Sequence, residues 1–187
     1  NLNSLTNIGA TGLPAIDYLL HGFDDDAATI VAYTTDTEAA NRSQYLSDLA
    51  ADVQTKATTV FSAWSAEGDN YIATFKESDG VAVGSSLSNL VNSLNLQYER
   101  HTRDSKIGIP AGVRSLGIPI PESTEAFYGG YSLELAIANL RVYKSLFNGI
   151  QASDNADGIG FDDYLVSLNA GNEDGELADQ INDQLDV

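Results

Sequence analysis

Apolar residues along this chain recur every three or four positions, in stripes long enough to line one face of a helix. The longest stripe runs Leu46, Leu49, Ala50, Val53, Ala57, Val60, Phe61 and Trp64. Thr35-Asp36-Thr37-Glu38 ahead of it offers capping side chains and first-turn acids, and Gly68 breaks it. A second stripe, Leu87, Leu90, Val91, Leu94, Tyr98 and His101, starts near Ser85 or Ser86 and places His101 on its buried side. A third, Leu133, Ala136, Ile137, Leu140, Tyr143 and Phe147, is capped by Ser132 and stopped by Gly149. Leu177, Ile181 and Leu185 form a last one, opened by Glu173 and Asp174.

Shorter helices fit between these. The stretch Gly12-Leu13-Pro14-Ala15-Ile16-Asp17-Tyr18-Leu19-Leu20-His21-Gly22 has proline in the first turn, an apolar face and a glycine at its end. Residues 69–76, 122–128 and 161–168 read as short helical pieces, and 27–33 is ambiguous between helix and extended chain. Residues 106–121 hold three of the four prolines and read as a stiff, extended connector, apolar enough to pack against helices. No hairpin pattern and no fixed repeat is visible. The expectation is an all-α fold of up-and-down helical bundles over residues 1–187, each stripe covered by another.

Composition narrows the function classes. At 43% hydrophobic and 19% charged residues, the 187-residue chain is globular. A net charge of -18 repels nucleic acid and anionic headgroups, which argues against both as partners. Zero cysteines exclude disulfides, thiolate metal sites and a Cys nucleophile. No apolar run is long enough to span a membrane. The chain starts without Met and stops inside a helical pattern, so it is expected to be a piece of a longer protein whose N-terminal part is missing.

Candidate chemistry is sparse. Asp17 and His21 stand at i, i+4, a spacing that allows a shared metal ion or proton; the alternative is a capping Asp and a helix-end His. His101 is either a packed core histidine or a pocket ligand. Arg100, Arg103, Lys106 and Arg114 gather four of the nine basic residues at the connector. Asp154-Asn155-Ala156-Asp157-Gly158 hints at a calcium loop, but its register leaves Tyr164 where a bidentate Glu is needed, so it reads as a solvated loop. HExxH, GxSxG, P-loop and GxGxxG motifs are absent. Neither histidine has Glu three residues before it, as a ferritin-like site requires; those places hold Tyr18 and Tyr98.

Two stretches together resemble a known family. Gly12-Leu13-Pro14-Ala15-Ile16-Asp17-Tyr18-Leu19-Leu20 resembles the signature segment of imelysin-like proteins, and Lys106-Ile107-Gly108-Ile109-Pro110-Ala111-Gly112 resembles a second segment common among them. The resemblance covers nearly the whole chain and matches the latter part of a member. It implies an all-helical architecture of two bundle-like halves with a site between them. It further implies a periplasmic or outer-membrane-anchored protein, often a lipoprotein, with links to iron uptake. In the family signature GxHxxE, Gly12 matches the Gly, Pro14 replaces the His and Asp17 replaces the Glu. Pro14 has no side-chain donor or acceptor, which weakens the expectation of peptidase activity and of metal binding.

The resulting expectation is a non-catalytic cell-envelope protein. Its ligand or partner would bind near Gly12, Pro14, Asp17, His21, His101, Arg103, Lys106 and Arg114. An iron-binding module is the next reading and a metal-dependent peptidase the last. No metal site is assigned; iron or another divalent metal is the cofactor at issue, with Asp17 and His21 as the candidate ligands. The expected partners are the missing N-terminal half of the same protein and a cell-envelope or iron-uptake protein.

Overall fold

A computed structural model describes residues 5–186. The chain forms two compact units, one reaching Ser132 and the other starting at Leu133. Among the described residues the architecture is all-α, with eight α-helices and one two-residue hairpin. No helix there is long and apolar enough to cross a membrane.

In the first unit, a 3-10 turn (Leu5–Ala10) leads into α1 (Gly12–His21), α2 (Asp26–Thr34) and the long α3 (Ala39–Trp64). Two details of sequence set the entry and exit of α1. Gly12 sits at φ +73, a left-handed conformation that favours glycine. At the other end, a Cβ on Gly22 would stand 2.3 Å from the Tyr18 ring. Helix α2 resolves the ambiguous 27–33 segment. Asp25, one of three consecutive acids, caps it by accepting the Ala28 N–H at 2.8 Å.

Helices α1 and α3 pack together around Ala15, Leu19 and Leu49, flanked by Ile16, Tyr45 and Leu46. Leu49 is the only large side chain with no exposure at all among the described residues. Tyr33 on α2 donates its hydroxyl to the Leu19 carbonyl at 2.9 Å, and Arg42 of α3 lies 5.6 Å over the Phe23 ring. Burial pushes the Tyr33 hydroxyl above its ordinary pKa, with Arg42 partly opposing.

The α3 stripe is covered only along its first half. Val60 and Phe61 remain exposed, contrary to the expectation that every stripe meets another. Trp64 finds edge-on contact with Tyr71, 4.9 Å away on α4 (Tyr71–Glu77). The helix also starts later than its acids suggest. Asp36 accepts the Glu38 N–H at 2.7 Å in a turn before Ala39, so those acids organise the entry rather than the first helical turn.

Helix α5 (Ser86–Leu96), capped by Ser85, runs without interruption into a π-helix, Gln97–Gly108. That change of winding overturns the expected position of His101. A π turn takes an extra residue compared with an α turn, so the buried face advances by one. Thr102 is buried at 2% exposure, and His101 is exposed.

The connector is not extended either. Residues 109–117 coil into successive turns, with Gly112, Leu116 and Gly117 at positive φ. The Ile120 N–H returns to the Pro110 carbonyl at 2.9 Å. Val113, Leu116 and Ile118 point outward instead of packing on helices. The expected helix at 122–128 shrinks to one 3-10 turn, Pro121–Ser123, followed by turns.

The second unit holds α6 from Leu133 on (the helix spans Ser132–Phe147), α7 (Phe161–Ser167) and α8 (Leu177–Leu185). The α6 stripe also stays largely open; Leu133 and Ile137 are exposed and Phe147 is buried. Strands β1 (Gly171–Asn172) and β2 (Gly175–Glu176) pair antiparallel before α8. Glu173 and Asp174 therefore form the hairpin turn and do not open the helix. Asn172 shapes that turn by accepting the Asp174 N–H at 2.9 Å.

Candidate functional site

The signature stretch meets a segment far along the chain. Asp17, 8% exposed, accepts the Tyr128 N–H at 3.0 Å through Oδ2 and the Gly129 N–H at 2.9 Å through Oδ1. Two successive backbone N–H groups thus form a small anion nest, and the carboxylate fills it. A Cβ on Gly129 would lie 2.8 Å from Asp17 Oδ1 and 2.2 Å from the Tyr131 ring, so glycine permits this approach. Tyr18 adds an edge-on contact with Tyr128 at 5.1 Å, and His21 another with Tyr131 at 6.1 Å. One face of α1 therefore clamps the 126–131 turn.

Beside this clamp lies a cavity of about 420 Å³. Pro14 and Asp17 line it from α1, His101, Ser105 and Lys106 from the π-helix, and the 122–128 segment closes it. The ammonium of Lys106 pairs with Glu125 across it. Burial lowers the Lys106 pKa from its ordinary value.

Of the residues expected at a pocket, the structure brings together Pro14, Asp17, His101 and Lys106. The remaining four lie elsewhere. Gly12 shapes the entry of α1, and His21 is exposed against Tyr131. Arg103 and Arg114 line a separate groove of about 1020 Å³ between the π-helix and the coiled turns. Both guanidiniums there are paired, Arg103 with Glu99 and Arg114 with Asp104. Among the described residues, no three His, Asp or Glu side chains converge as a metal cluster would need.

Sequence reasoning missed Ser105, Glu125, Tyr128 and Gly129. The one signal for them was Phe127-Tyr128-Gly129-Gly130-Tyr131, where adjacent glycines among aromatics mark a turn with close backbone approach.

The Asp104–Arg114 pair makes a pH prediction. Arg114 donates to Asp104 at 3.1 and 2.7 Å and holds that carboxyl below its ordinary 3.8. A depressed carboxylate pKa stabilises the folded turn above 3.8, and that stabilisation is lost as pH falls through the folded value. Carboxyl-carbon NMR titration should find Asp104 below 3.8, and Arg114→Gln should return it close to that figure.

Comparison with known proteins agrees with the geometry in one respect. The family model described as Imelysin matches residues 4–187. No curated protein and no solved structure matches the chain. The match spans nearly every residue, α1 with its Gly12, Pro14 and Asp17 included, and on that basis the chain belongs to the imelysin family.

Proposed function

We propose that this imelysin-family chain is a non-catalytic binding protein of the cell envelope, at the periplasmic or outer surface, with a role in iron uptake. Its ligand enters the cavity between α1 and the π-helix. The observation that supports the non-catalytic part of this reading is the use made of Asp17. The signature carboxylate holds the backbone of Tyr128 and Gly129. The Pro14 side chain, beside it, has no lone pair or proton to offer a metal or a scissile bond. The cavity offers groups suited to recognition: the His101 imidazole and the Lys106 ammonium, which keeps N–H donors beyond the one it gives Glu125, can donate to an anionic group, and Pro14, Phe127 and Tyr128 supply apolar wall.

Two assays test the reading. Citrate, as an anionic probe, should bind the wild type and lose about tenfold in affinity in Lys106→Ala, the equivalent of one charge-assisted contact. Calorimetry with ferric, ferrous and zinc ions should give equal, weak binding for wild type and Asp17→Asn. Unfolded substrates should stay intact with or without chelator. Tight metal binding that Asp17→Asn abolishes would support the iron-binding module instead, and chelator-sensitive cleavage would support the metal-dependent peptidase.

A further inference from the structure

One part of this acidic chain carries positive charge in excess. The groove of about 1020 Å³ between the π-helix and the coiled turns is lined by Arg100, Arg103 and Arg114, with Glu99 and Asp104 among them. Three cations against two anions leave one positive charge over, in a chain whose net charge is -18. An anion that the chain as a whole repels meets attraction here.

The winding of the backbone gathers these groups. The Ile109 N–H donates to the Asp104 carbonyl at 2.8 Å, and the Val113 N–H to the Gly108 carbonyl at 2.9 Å, each reaching back five residues. The π pattern thus continues into the turns and returns Arg114 to the side of Asp104. The Arg114 hydrogen bond is the main cause that holds the Asp104 carboxyl below its ordinary value, and the charges of Arg103 and Arg100 add to it. Three guanidiniums therefore stand around one carboxylate.

Their donors are only partly used. Arg103 engages Glu99 through Nε and Nη2, and Arg114 engages Asp104 through the same two atoms, so each keeps both N–H groups of Nη1. Arg100 is exposed and has no acidic partner within ion-pair distance among the described residues.

The groove also has an apolar wall. Ile107 and Val113 line it and are both exposed. The two characters meet at Gly108, where a Cβ would stand 3.6 Å from Asp104 Oδ1 and 3.7 Å from Val113 Cγ2.

We infer that this groove binds an organic monocarboxylate with an apolar body, the carboxylate on Arg100 and the spare N–H groups of Arg103 and Arg114, the body along Ile107 and Val113. The planar fork of a guanidinium matches a carboxylate. One surplus positive charge balances a monoanion, whereas a phosphate dianion would leave negative charge in excess and make no use of the wall. The site is separate from the cavity that Pro14, Asp17 and Lys106 line and does not rest on the role proposed for that cavity.

Calorimetric titration of the full chain with octanoate tests the assignment. One saturable equivalent is expected. Acetate, with the same charge and no apolar body, should bind about tenfold more weakly or worse, and inorganic phosphate should also bind more weakly than octanoate. Arg100→Gln should weaken octanoate about tenfold. Arg141→Gln, which removes the same charge from α6 outside the groove, should leave affinity within about twofold. Glu99→Gln, which frees Arg103 from a pair within one helix, should tighten octanoate about threefold. Absence of saturable binding would overturn the assignment. So would an equal loss in Arg141→Gln, which would leave only the field of the whole chain, or phosphate binding tighter than octanoate, which would make the groove a simple anion site. A loss in Lys106→Ala that Arg100→Gln does not share would put octanoate in the other cavity and overturn the assignment as well.

Discussion

Replacing Asp17 with alanine is expected to cost about 3 kcal/mol and to lower the melting temperature of the first unit by roughly 10 °C. The estimate starts from two hydrogen bonds to a charged acceptor, each worth about 1.5–3 kcal/mol. Tyr128 and Gly129 are not deeply buried, so water partly re-solvates the freed N–H groups and the low end applies. Asp17→Asn should lose less, because one oxygen remains to accept. Its amide nitrogen, however, faces a second N–H and cannot pair with it. Thermal unfolding followed by circular dichroism checks both variants, and equal melting temperatures for wild type and Asp17→Ala would dismiss the clamp.

The second large effect belongs to Leu49→Ala. Leu49 has no exposure and sits between α1 and α3 with Ala15 and Leu19. Removing its outer carbons loses transfer energy and leaves a cavity, together about 3–4 kcal/mol. Ile16, Tyr45 and Leu46 are only partly buried and can shift inward, which holds the cost below the top of the usual range. Denaturant titration should show a lower midpoint with an unchanged slope. Phe61→Ala, at an exposed position of the same α3 stripe, should change the midpoint little.

The contrast between Leu49 and Phe61 shows how far the sequence could be read. Periodicity identified α3 as a helix, because burial and helical pitch repeat together. It could not say which part of the stripe would be covered, because coverage depends on the neighbours α1 and α2, which are short. His101 failed for another reason. A stripe counted at 3.6 residues per turn assumes α winding, and the π winding from Gln97 onward moves every later position around the axis. Glu173 and Asp174 stand where first-turn acids would, yet the following Gly175 makes a two-residue hairpin turn available to them.

The candidate site was legible in half. The signature named Pro14 and Asp17, and the basic connector named Lys106. What Asp17 does was hidden, because its partners lie 111 and 112 residues further along the chain and are backbone groups. No side-chain motif marks a backbone donor. The basic cluster misled in a similar way. Arg103 and Arg114 pair with Glu99 and Asp104 at a separate groove, away from the cavity that Asp17 and Lys106 line.

The signature carboxylate serves structure, tying α1 to the 126–131 turn beside the cavity that α1 and the π-helix line. Hydrogen exchange at the Tyr128 and Gly129 amides tests it most directly, compared between wild type and Asp17→Ala and referenced to amides in the middle of α3. Both amides should exchange at least tenfold faster in the variant than any change in α3 explains. Unchanged protection at Tyr128 and Gly129 would contradict it.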